Sequence, residues 1–229
     1  MIRFFSGILF FLFSTYMVYA QNVSVLKDSV CISKECFELQ ELKINSPNTR
    51  IYKKIQKDYD IFNGFLFDIP EKRLQAKKDT LRKLISENSL KESQFGFEKY
   101  RILFDRNGLL NLSVRIKSYG SPWEDIRYSL FDINDHTDIG DKLFINKNLL
   151  LKLCNKKLYD QDLVNFKVDS LSEYILNTDN KKNFTGITFI MYNTEERESG
   201  GYKMYSVPFT RREIEKFITP KYKETLLKH

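Results

Sequence analysis

A stretch of alternating apolar and polar residues between positions 99 and 145 constrains the fold of this chain more than any other part of it. The alternation covers three segments, which are 100–104, 110–116 and 126–130. A period of two is typical of strands that bury one face. Asn107 and Gly108 separate the first two segments and supply the positive backbone dihedrals of a tight hairpin turn, while 119–123 forms a looser turn. The sequence therefore predicts an antiparallel meander.

The elements on either side of the meander follow from helical spacing, capping residues and further alternation. We expect further strands at 36–44, 186–192 and 202–209. We expect helices at 49–59, 71–88, 146–165, 170–176 and 211–218. Pro70 opens the second helix, Thr210 caps the last one, and Pro220 ends it, while Lys77 and Lys78 are assigned to the solvated face of the second helix. The predicted fold class is α+β, with an antiparallel sheet, made of the meander plus a C-terminal hairpin, packed against a few helices.

The N-terminus has the pattern of a secretory signal peptide. Arg3 supplies a positive charge, an apolar run covers 4–18, and small residues precede a cut predicted after Ala20. The run is shorter than the roughly 20 residues of a spanning helix, so we expect no stable membrane insertion after cleavage, although an uncleaved anchor is the alternative. The predicted location is periplasmic or secreted. Beyond the signal we expect a flexible leader at 21–35 and a single α+β domain at 36–229.

The charge balance bears on the partners. The formal charge is +7, and it falls to +6 when the signal peptide removes Arg3. A nucleic-acid binder usually concentrates its positive charge on one stripe, whereas here the basic residues are scattered among nearly as many acids. We therefore expect no nucleic-acid partner. The mild excess suits an anionic envelope surface or an acidic partner, and it is equally compatible with plain solubility.

The cysteines and histidines argue against cysteine catalysis and against a zinc site. In an oxidising compartment Cys31 and Cys36 can form a local disulfide, and Cys154 lies in a leucine-rich segment that suits a small buried hydrophobe. A catalytic cysteine needs a positioned base, but only His136 and His229 exist, and no Cys–His spacing matches a zinc motif. We expect no cofactor.

A cluster of four aspartates and one histidine at 131–144 raises the question of a metal site. Calcium loops need a glycine at the sixth position and a glutamate at the twelfth. Counting from Asp132, these positions hold Thr137 and Leu143, so the pattern fails. The sequence predicts no metal site here and favours Asx-type turns between strands.

The order of elements in the second half resembles the DUF3298 (RsiV-like C-terminal) family of exported bacterial domains. The resemblance is carried by 131–134 and 137–144, the leucine-rich helix, the strand at 186–192, and the strand at 202–209 that runs into 211–214. The segment from Cys36 to about Phe67 is similar in order to the DUF4163 domain that often precedes this family. We therefore assign 36–93 as a DUF4163-like part and 94–229 as a DUF3298-like part of one domain.

The resemblance implies a non-catalytic α+β module. Relatives occur as the lysozyme-sensing part of an anti-sigma factor, as accessory domains of peptidoglycan deacetylases, and as free-standing exported proteins. Because the sequence shows no spanning helix after the signal and no His-rich deacetylase motif, we expect a free-standing envelope protein.

Two classes of function remain open. The first is a binding module for an envelope polymer or a secreted protein such as a wall hydrolase, with contact surfaces at the 120–123 turn and the 193–201 hairpin tip. The candidate binding residues are Tyr119, Trp123, Glu195, Glu196 and Glu198. An exposed Trp123 could stack on a sugar ring or anchor a protein interface, and the alternative is a core tryptophan folded under the turn.

The second class is a carboxylate-based envelope hydrolase. Such an enzyme needs two carboxylates held at a defined separation. The chain contains no Gly-x-Ser-x-Gly elbow, no phosphate-binding glycine loop and no Cys–His pair, so we expect that it is not an enzyme.

Overall fold

The computed structural model describes residues 23–32, 35–46, 48–57, 62–87, 96–161, 170–198 and 201–227. The predicted signal peptide and its cleavage site lie outside these residues. The strands are β1 (Val23–Ile32), β2 (Glu35–Ile44), β3 (Phe97–Arg106), β4 (Leu109–Lys117), β5 (Glu124–Asp132), β6 (Thr137–Asp138), β7 (Tyr174–Thr178), β8 (Phe184–Glu198) and β9 (Gly201–Thr210). The helices are α1 (Arg50–Lys57), α2 (Pro70–Ser86), α3 (Lys147–Tyr159), α4 (Arg211–Ile214) and α5 (Pro220–Leu227), and 3₁₀ turns cover Gly140–Leu143 and Glu215–Phe217.

The described strands form three antiparallel sheets. Their orders are β1-β2, β3-β4-β5-β6 and β7-β8-β9. The predicted α+β class, with a meander, a C-terminal hairpin and packed helices, is confirmed. In the part of the chain that the structure describes, no helix is long and apolar enough to cross a membrane.

The turn between β3 and β4 is the tight hairpin that the sequence predicts. Asn107 and Gly108 both have positive φ, at 53° and 78°. Positive φ at both central residues matches the right-handed twist of the flanking strands, which explains why Asn-Gly is favoured here. The Gly108 carbonyl also accepts a hydrogen bond from the Ile133 N–H at 2.7 Å, so the turn is fastened to the chain that leaves β5.

Strand β4 is buried on both faces and joins the two halves of the core. One face packs into a cluster with β1, β2 and α1, through Leu110, Leu112, Val114 and Ile116. On the other face, the Asn111 side chain donates to the Tyr174 carbonyl at 3.1 Å and accepts from the Leu176 N–H at 2.8 Å. A buried amide that satisfies two backbone groups of β7 fixes where the third sheet meets the meander.

The predicted flexible leader at 21–35 is wrong for the residues that the structure describes. Val23–Ile32 forms strand β1, which pairs along its whole length with β2, from Val23 opposite Ile44 to Ile32 opposite Glu35. Val23 and Val30 are buried, at 0% and 5% exposure, against the meander and α2. The apolar residues of this segment thus pack against elements that lie far away in the sequence, which local pattern does not reveal.

Two predictions about the C-terminal half are also wrong. The expected helix at 170–176 does not form: 170–173 is irregular and β7 begins at Tyr174, because Tyr174 and Leu176 alternate into the core. Pro220 does not end a helix but begins α5, which suits a residue whose missing N–H is harmless in the first turn. The predicted cap is confirmed, since Thr210 and Glu213 form a reciprocal capping box at the start of α4.

Candidate functional site

Trp123, the first predicted contact residue, lies in the turn between β4 and β5. Its side chain is 45% exposed, so it is not a core tryptophan. The Ser121 hydroxyl accepts a hydrogen bond from the Trp123 N–H at 3.0 Å, which shapes the turn. The aromatic ring is therefore presented at the surface by a defined local geometry.

Tyr119 in the same turn has a structural environment. It packs against the apolar cluster formed by Val30, Leu39, Leu74 and Leu81, beneath α2. Burial raises the pKa of its hydroxyl to about 12. The Tyr119 ring thus attaches the turn to the core and leaves Trp123 as the exposed aromatic residue of the pair.

The hairpin of β8 and β9 rises next to the Trp123 turn. The side chains of Glu195, Glu196 and Glu198 lie outside the described part of the chain, although their backbone continues β8. The Tyr192 hydroxyl lies within hydrogen-bond distance of two acceptors, the Ile126 carbonyl, three residues after Trp123, and Glu173 Oε2 at 3.0 Å. These contacts hold β8 at Tyr192 against the start of β5.

A cationic cleft lies at the other end of β5, between α1 and the turn that follows β5. Its volume is about 760 Å³. The charged lining residues are Arg50, Lys53, Lys54, Lys57 and Lys142 with one carboxylate, Asp138. Strand β5 spans about 27 Å at the usual rise per residue, so the cleft and Trp123 are well separated. Sequence reasoning missed this site because the basic residues of α1 meet the opposite wall, which follows β5, only in the folded chain.

The cations of the cleft are only partly compensated. Lys54 Nζ contacts Asp138 Oδ2 at 2.5 Å, and Lys53 Nζ contacts Asp68 Oδ1 at 2.6 Å. Among the residues that the structure describes, Arg50, Lys57 and Lys142 have no ion-pair partner. The cleft therefore has an excess of positive charge in a concave setting, where field lines are focused.

The sequence of α1 explains how this charge is displayed. The Asn48 side-chain oxygen accepts a hydrogen bond from the Arg50 N–H at 2.8 Å and so caps the helix. Ile51 and Ile55, four residues apart, are 3% and 2% exposed and anchor one face in the core. The same periodicity sends the basic residues to the opposite face.

The loop after α1 is fastened to the helix and completes the rim of the cleft. The Gln56 amide donates to the Phe67 carbonyl at 2.7 Å and accepts from the Phe67 N–H at 2.8 Å. Leu66 lines the cleft, and the neighbouring Phe65 ring is 65% exposed. The Phe65 ring packs edge-on against Phe67, with the centroids 4.9 Å apart. The rim is thus held in place without a ligand.

The opposite wall contains the predicted Asx turn. Asp132 Oδ1 accepts hydrogen bonds from the N–H groups of Asn134 and Asp135 at 3.1 and 3.0 Å, as the sequence indicates. His136 follows in the left-handed region, with φ of 52°, and lines the cleft. Within the residues that the structure covers, no group of three or more His, Cys, Asp or Glu side chains could hold a metal ion.

The two cysteines of β1 and β2, Cys31 and Cys36, are joined by a disulfide in the structure. They face each other across the β1–β2 pair, close to the turn. Cys154 is buried with a free thiol, and burial raises the pKa of that thiol to about 12. A thiol with so high a pKa is a poor nucleophile at neutral pH.

A second group of charges is buried beneath α2. Glu41, Arg73, Lys77 and Glu98 have side chains that are at most 4% exposed. Arg73 Nη1 lies 2.7 Å from Glu41 Oε2 and 2.8 Å from Glu98 Oε2. Lys77 Nζ lies 2.7 Å from the same two oxygens. The assignment of Lys77 to the solvated face of the helix is therefore wrong.

Electrostatics favour the charged forms of Glu98 and Arg73 in this group. Burial alone would raise the pKa of Glu98, but the positive charges of Lys77 and Arg73 outweigh it and hold that pKa below its ordinary value. Burial alone would likewise lower the pKa of Arg73, and Glu98, Tyr100 and Glu41 hold it above its ordinary value. Two carboxylates and two cations thus neutralise one another and bind α2 to β2 and β3.

Comparison with known proteins gives a likeness of fold. No family model matches the sequence, and no curated protein does. A DUF3298 family protein from Pseudomonas aeruginosa PAO1 superposes with a TM-score of 0.57 at 10% identity, over 92% of this chain and 98% of that one. A member of the same family from Bacteroides fragilis NCTC 9343 gives 0.53 at 11% identity, over 89% and 97%.

These two likenesses extend over nearly the whole of each chain, so they concern the complete arrangement of elements and not one motif. The assignment of 36–93 to a DUF4163-like part and the RsiV-like character of the second half stay predictions. The resemblance that the second half of the sequence indicated is confirmed: the protein has the fold of the DUF3298 family.

Proposed function

We propose that the protein is an exported, non-catalytic binding module of the cell envelope that holds an anionic envelope polymer in its cationic cleft. The observation that carries the proposal is the charge of the lining, where five cations surround about 760 Å³ and, among the described residues, only two of them, Lys53 and Lys54, contact a carboxylate. The signal-like N-terminus supports a place outside the cytoplasm, where anionic polymers are exposed.

The cleft suits binding because it is formed before a ligand arrives. The Asn48 cap, the Gln56 clamp on Phe67, and the Lys53–Asp68 and Lys54–Asp138 ion pairs hold both walls. Prior ordering lowers the entropy cost of binding, so a modest number of charge contacts can give a useful affinity.

The alternative, a carboxylate-based hydrolase, has less support. General acid–base catalysis needs carboxylates that a substrate can reach. Glu41 and Glu98 are side by side but fully buried between Arg73 and Lys77, and Asp138 in the cleft is paired with Lys54. The arrangement of these acids favours a structural role over proton transfer.

The proposal is tested by co-sedimentation of the purified protein with an anionic envelope polymer and with a neutral glycan, at low and raised salt. We compare Arg50→Ala/Lys57→Ala with the control Lys152→Ala/Lys156→Ala, which removes the same charge from exposed positions of α3. A cation near an anionic surface contributes about 1 kcal/mol, or about fivefold, so the cleft variant should bind roughly 30-fold more weakly.

The control should bind the anionic polymer within about twofold of the parent, since its positions lie outside the cleft. Thermal melts check that both variants fold. Equal losses in the two variants would mean that bulk charge alone drives retention. Retention of neither polymer, or retention only through a soluble envelope protein, would overturn the proposal.

A further inference from the structure

We propose that the polymer held by the cleft is a linear acidic glycan, with a negative charge on successive sugar units, bound lengthwise along α1. This inference rests on the proposed function and specifies its ligand. It is carried by three observations: the row of cations on the helix, their partial compensation, and the exposed ring of Phe65, which precedes the lining residue Leu66 in the chain.

The cations of α1 form a row. Arg50 and Lys57 are seven residues apart on an α-helix, with Lys53 and Lys54 between them, and all four line the cleft. At a rise of 1.5 Å per residue the row is about 10 Å long. An elongated row matches a ligand whose charges repeat along a chain.

The cations of the cleft that lack a carboxylate partner among the described residues indicate where the negative charges of the ligand would bind. Asp68 and Asp138 already contact Lys53 and Lys54 at hydrogen-bond distance, so α1 can hold carboxylates in this geometry. The remaining cations are Arg50 and Lys57 at the two ends of the row and Lys142 in the other wall. A single anion neutralises one of them, whereas a chain with successive charges neutralises all three at once.

The rim favours a glycan over a bare polyanion. The Phe65 ring is 65% exposed next to the lining residue Leu66, and it packs edge-on against Phe67. An exposed aromatic ring can pack against the apolar face of a sugar ring. A nucleic acid could use the same features, but the export signal argues against it.

Isothermal titration tests the inference with galacturonate as monomer, trimer and octamer, with neutral galactan of matched length, and with single-stranded DNA of matched charge. We expect affinity to rise from monomer to octamer and the neutral chain not to bind. The logarithm of the octamer affinity should fall with the logarithm of the salt concentration, with a slope of about two to three, for the three cations engaged.

The variants separate the contributions. Arg50→Ala/Lys57→Ala should weaken the octamer roughly 30-fold and the monomer at most about fivefold, while Lys152→Ala/Lys156→Ala changes neither by more than about twofold. Phe65→Ser should weaken the octamer several-fold and leave the salt slope unchanged, since it removes a stacking surface and no charge.

The outcomes distinguish this inference from the proposed function. If the monomer binds as tightly as the octamer, with the same dependence on Arg50 and Lys57, the cleft is a single-anion site and the glycan inference falls while anion binding stands. If single-stranded DNA binds as tightly as the octamer, the cleft recognises charge alone, and the inference is overturned. If no anionic polymer depends on Arg50 and Lys57 beyond the α3 control, the proposed function falls as well.

Discussion

Replacing Glu98 by glutamine tests the idea that a buried ion cluster holds α2 on the sheets. The side chain of Glu98 is 0% exposed, and its Oε2 lies 2.8 Å from Arg73 Nη1 and 2.7 Å from Lys77 Nζ. Glutamine preserves the shape but removes the charge, which leaves two buried cations opposite Glu41 alone. We therefore expect Glu98→Gln to lower the free energy of unfolding far more than an ordinary surface substitution does.

The magnitude follows from the compensation that is lost. Breaking a buried ion pair by removing one partner costs about 3–5 kcal/mol, because an uncompensated charge remains in the interior. The amide oxygen of glutamine can still accept hydrogen bonds from Arg73 and Lys77, so we expect a loss of about 3 kcal/mol, near the lower limit. A domain has only about 5–15 kcal/mol of stability in total.

Urea denaturation followed by circular dichroism measures the effect. Glu71→Gln is the matched control, since Glu71 also lies on α2 and pairs with Lys43 at 2.6 Å, but with both side chains at least 40% exposed. An exposed pair contributes up to about 1 kcal/mol. Adding Lys77→Met to Glu98→Gln rebalances the charge, so we expect the double variant to recover about 1 kcal/mol or more relative to the sum of the single changes.

The pH dependence supplies an independent check. The pKa of Glu98 is held below its ordinary value of 4.5 in the folded protein. A depressed carboxyl pKa stabilises the fold above the unfolded pKa, and this stabilisation is lost as pH falls through the folded pKa. Below pH 4.5 the gap between the parent and Glu98→Gln should therefore narrow. A loss of less than about 1 kcal/mol at neutral pH, or a gap that does not change in acid, would refute the reasoning.

Three further changes probe other parts of the fold. Cys31→Ser/Cys36→Ser opens a loop with a sequence separation of 5 and should lower the free energy of unfolding by about 2 kcal/mol in a urea titration, and a reductant should affect only the parent. Gly186→Ala places a Cβ 2.2 Å from a backbone carbonyl oxygen of β9, so we expect a cost of about 1–3 kcal/mol by thermal melting; an unchanged melt would contradict this. Hydrogen bonds from the Thr210 N–H, from Lys157 and from the Thr210 hydroxyl hold the pKa of Glu213 at about 2. Urea titrations should therefore show that Glu213→Gln lowers the free energy of unfolding by its full amount above pH 4.5, and that this loss disappears as the pH falls through about 2.

The elements that could be predicted from the sequence are those that local rules determine. The meander follows from period-two alternation, its first turn from Asn107-Gly108, and α4 from the Thr210 cap. Strand β7 could not be found in this way, because its five residues carry no clear period. Its strand state comes from long-range partners, which are the ladder with β8 and the Asn111 side chain, whose bonds to the β7 backbone span 63 and 65 residues.

The candidate site was also difficult to predict, because it depends on residues that are distant in the sequence. Four basic residues on one short helix are visible in the sequence, but the wall that turns them into a cleft comes from the segment after β5. The burial of Lys77 depends on Glu41 and Glu98, which lie on two other strands. Charge carries no periodic signature of burial, so only the assembled structure distinguishes a buried lysine from an exposed one.

The buried charges under α2 are compensated, whereas the exposed cations of α1 are compensated only in part, and this difference concerns function. Under α2 every cation has a carboxylate, because an uncompensated charge in the interior would cost several kcal/mol. On α1 the like-charged pairs Arg50/Lys54 and Lys53/Lys57 stand four residues apart, a spacing at which like charges repel by up to about 0.2–0.5 kcal/mol per pair. The contacts of Lys53 and Lys54 with carboxylates reduce this repulsion but leave Arg50 and Lys57 uncompensated among the described residues. A ligand that relieves this repulsion binds the folded state selectively and therefore stabilises it. A row of like charges at the surface lowers the stability of the fold, which is expected of a binding site and not of a packing element. Anion binding in the cleft should accordingly raise the melting temperature of the parent more than that of Arg50→Ala/Lys57→Ala.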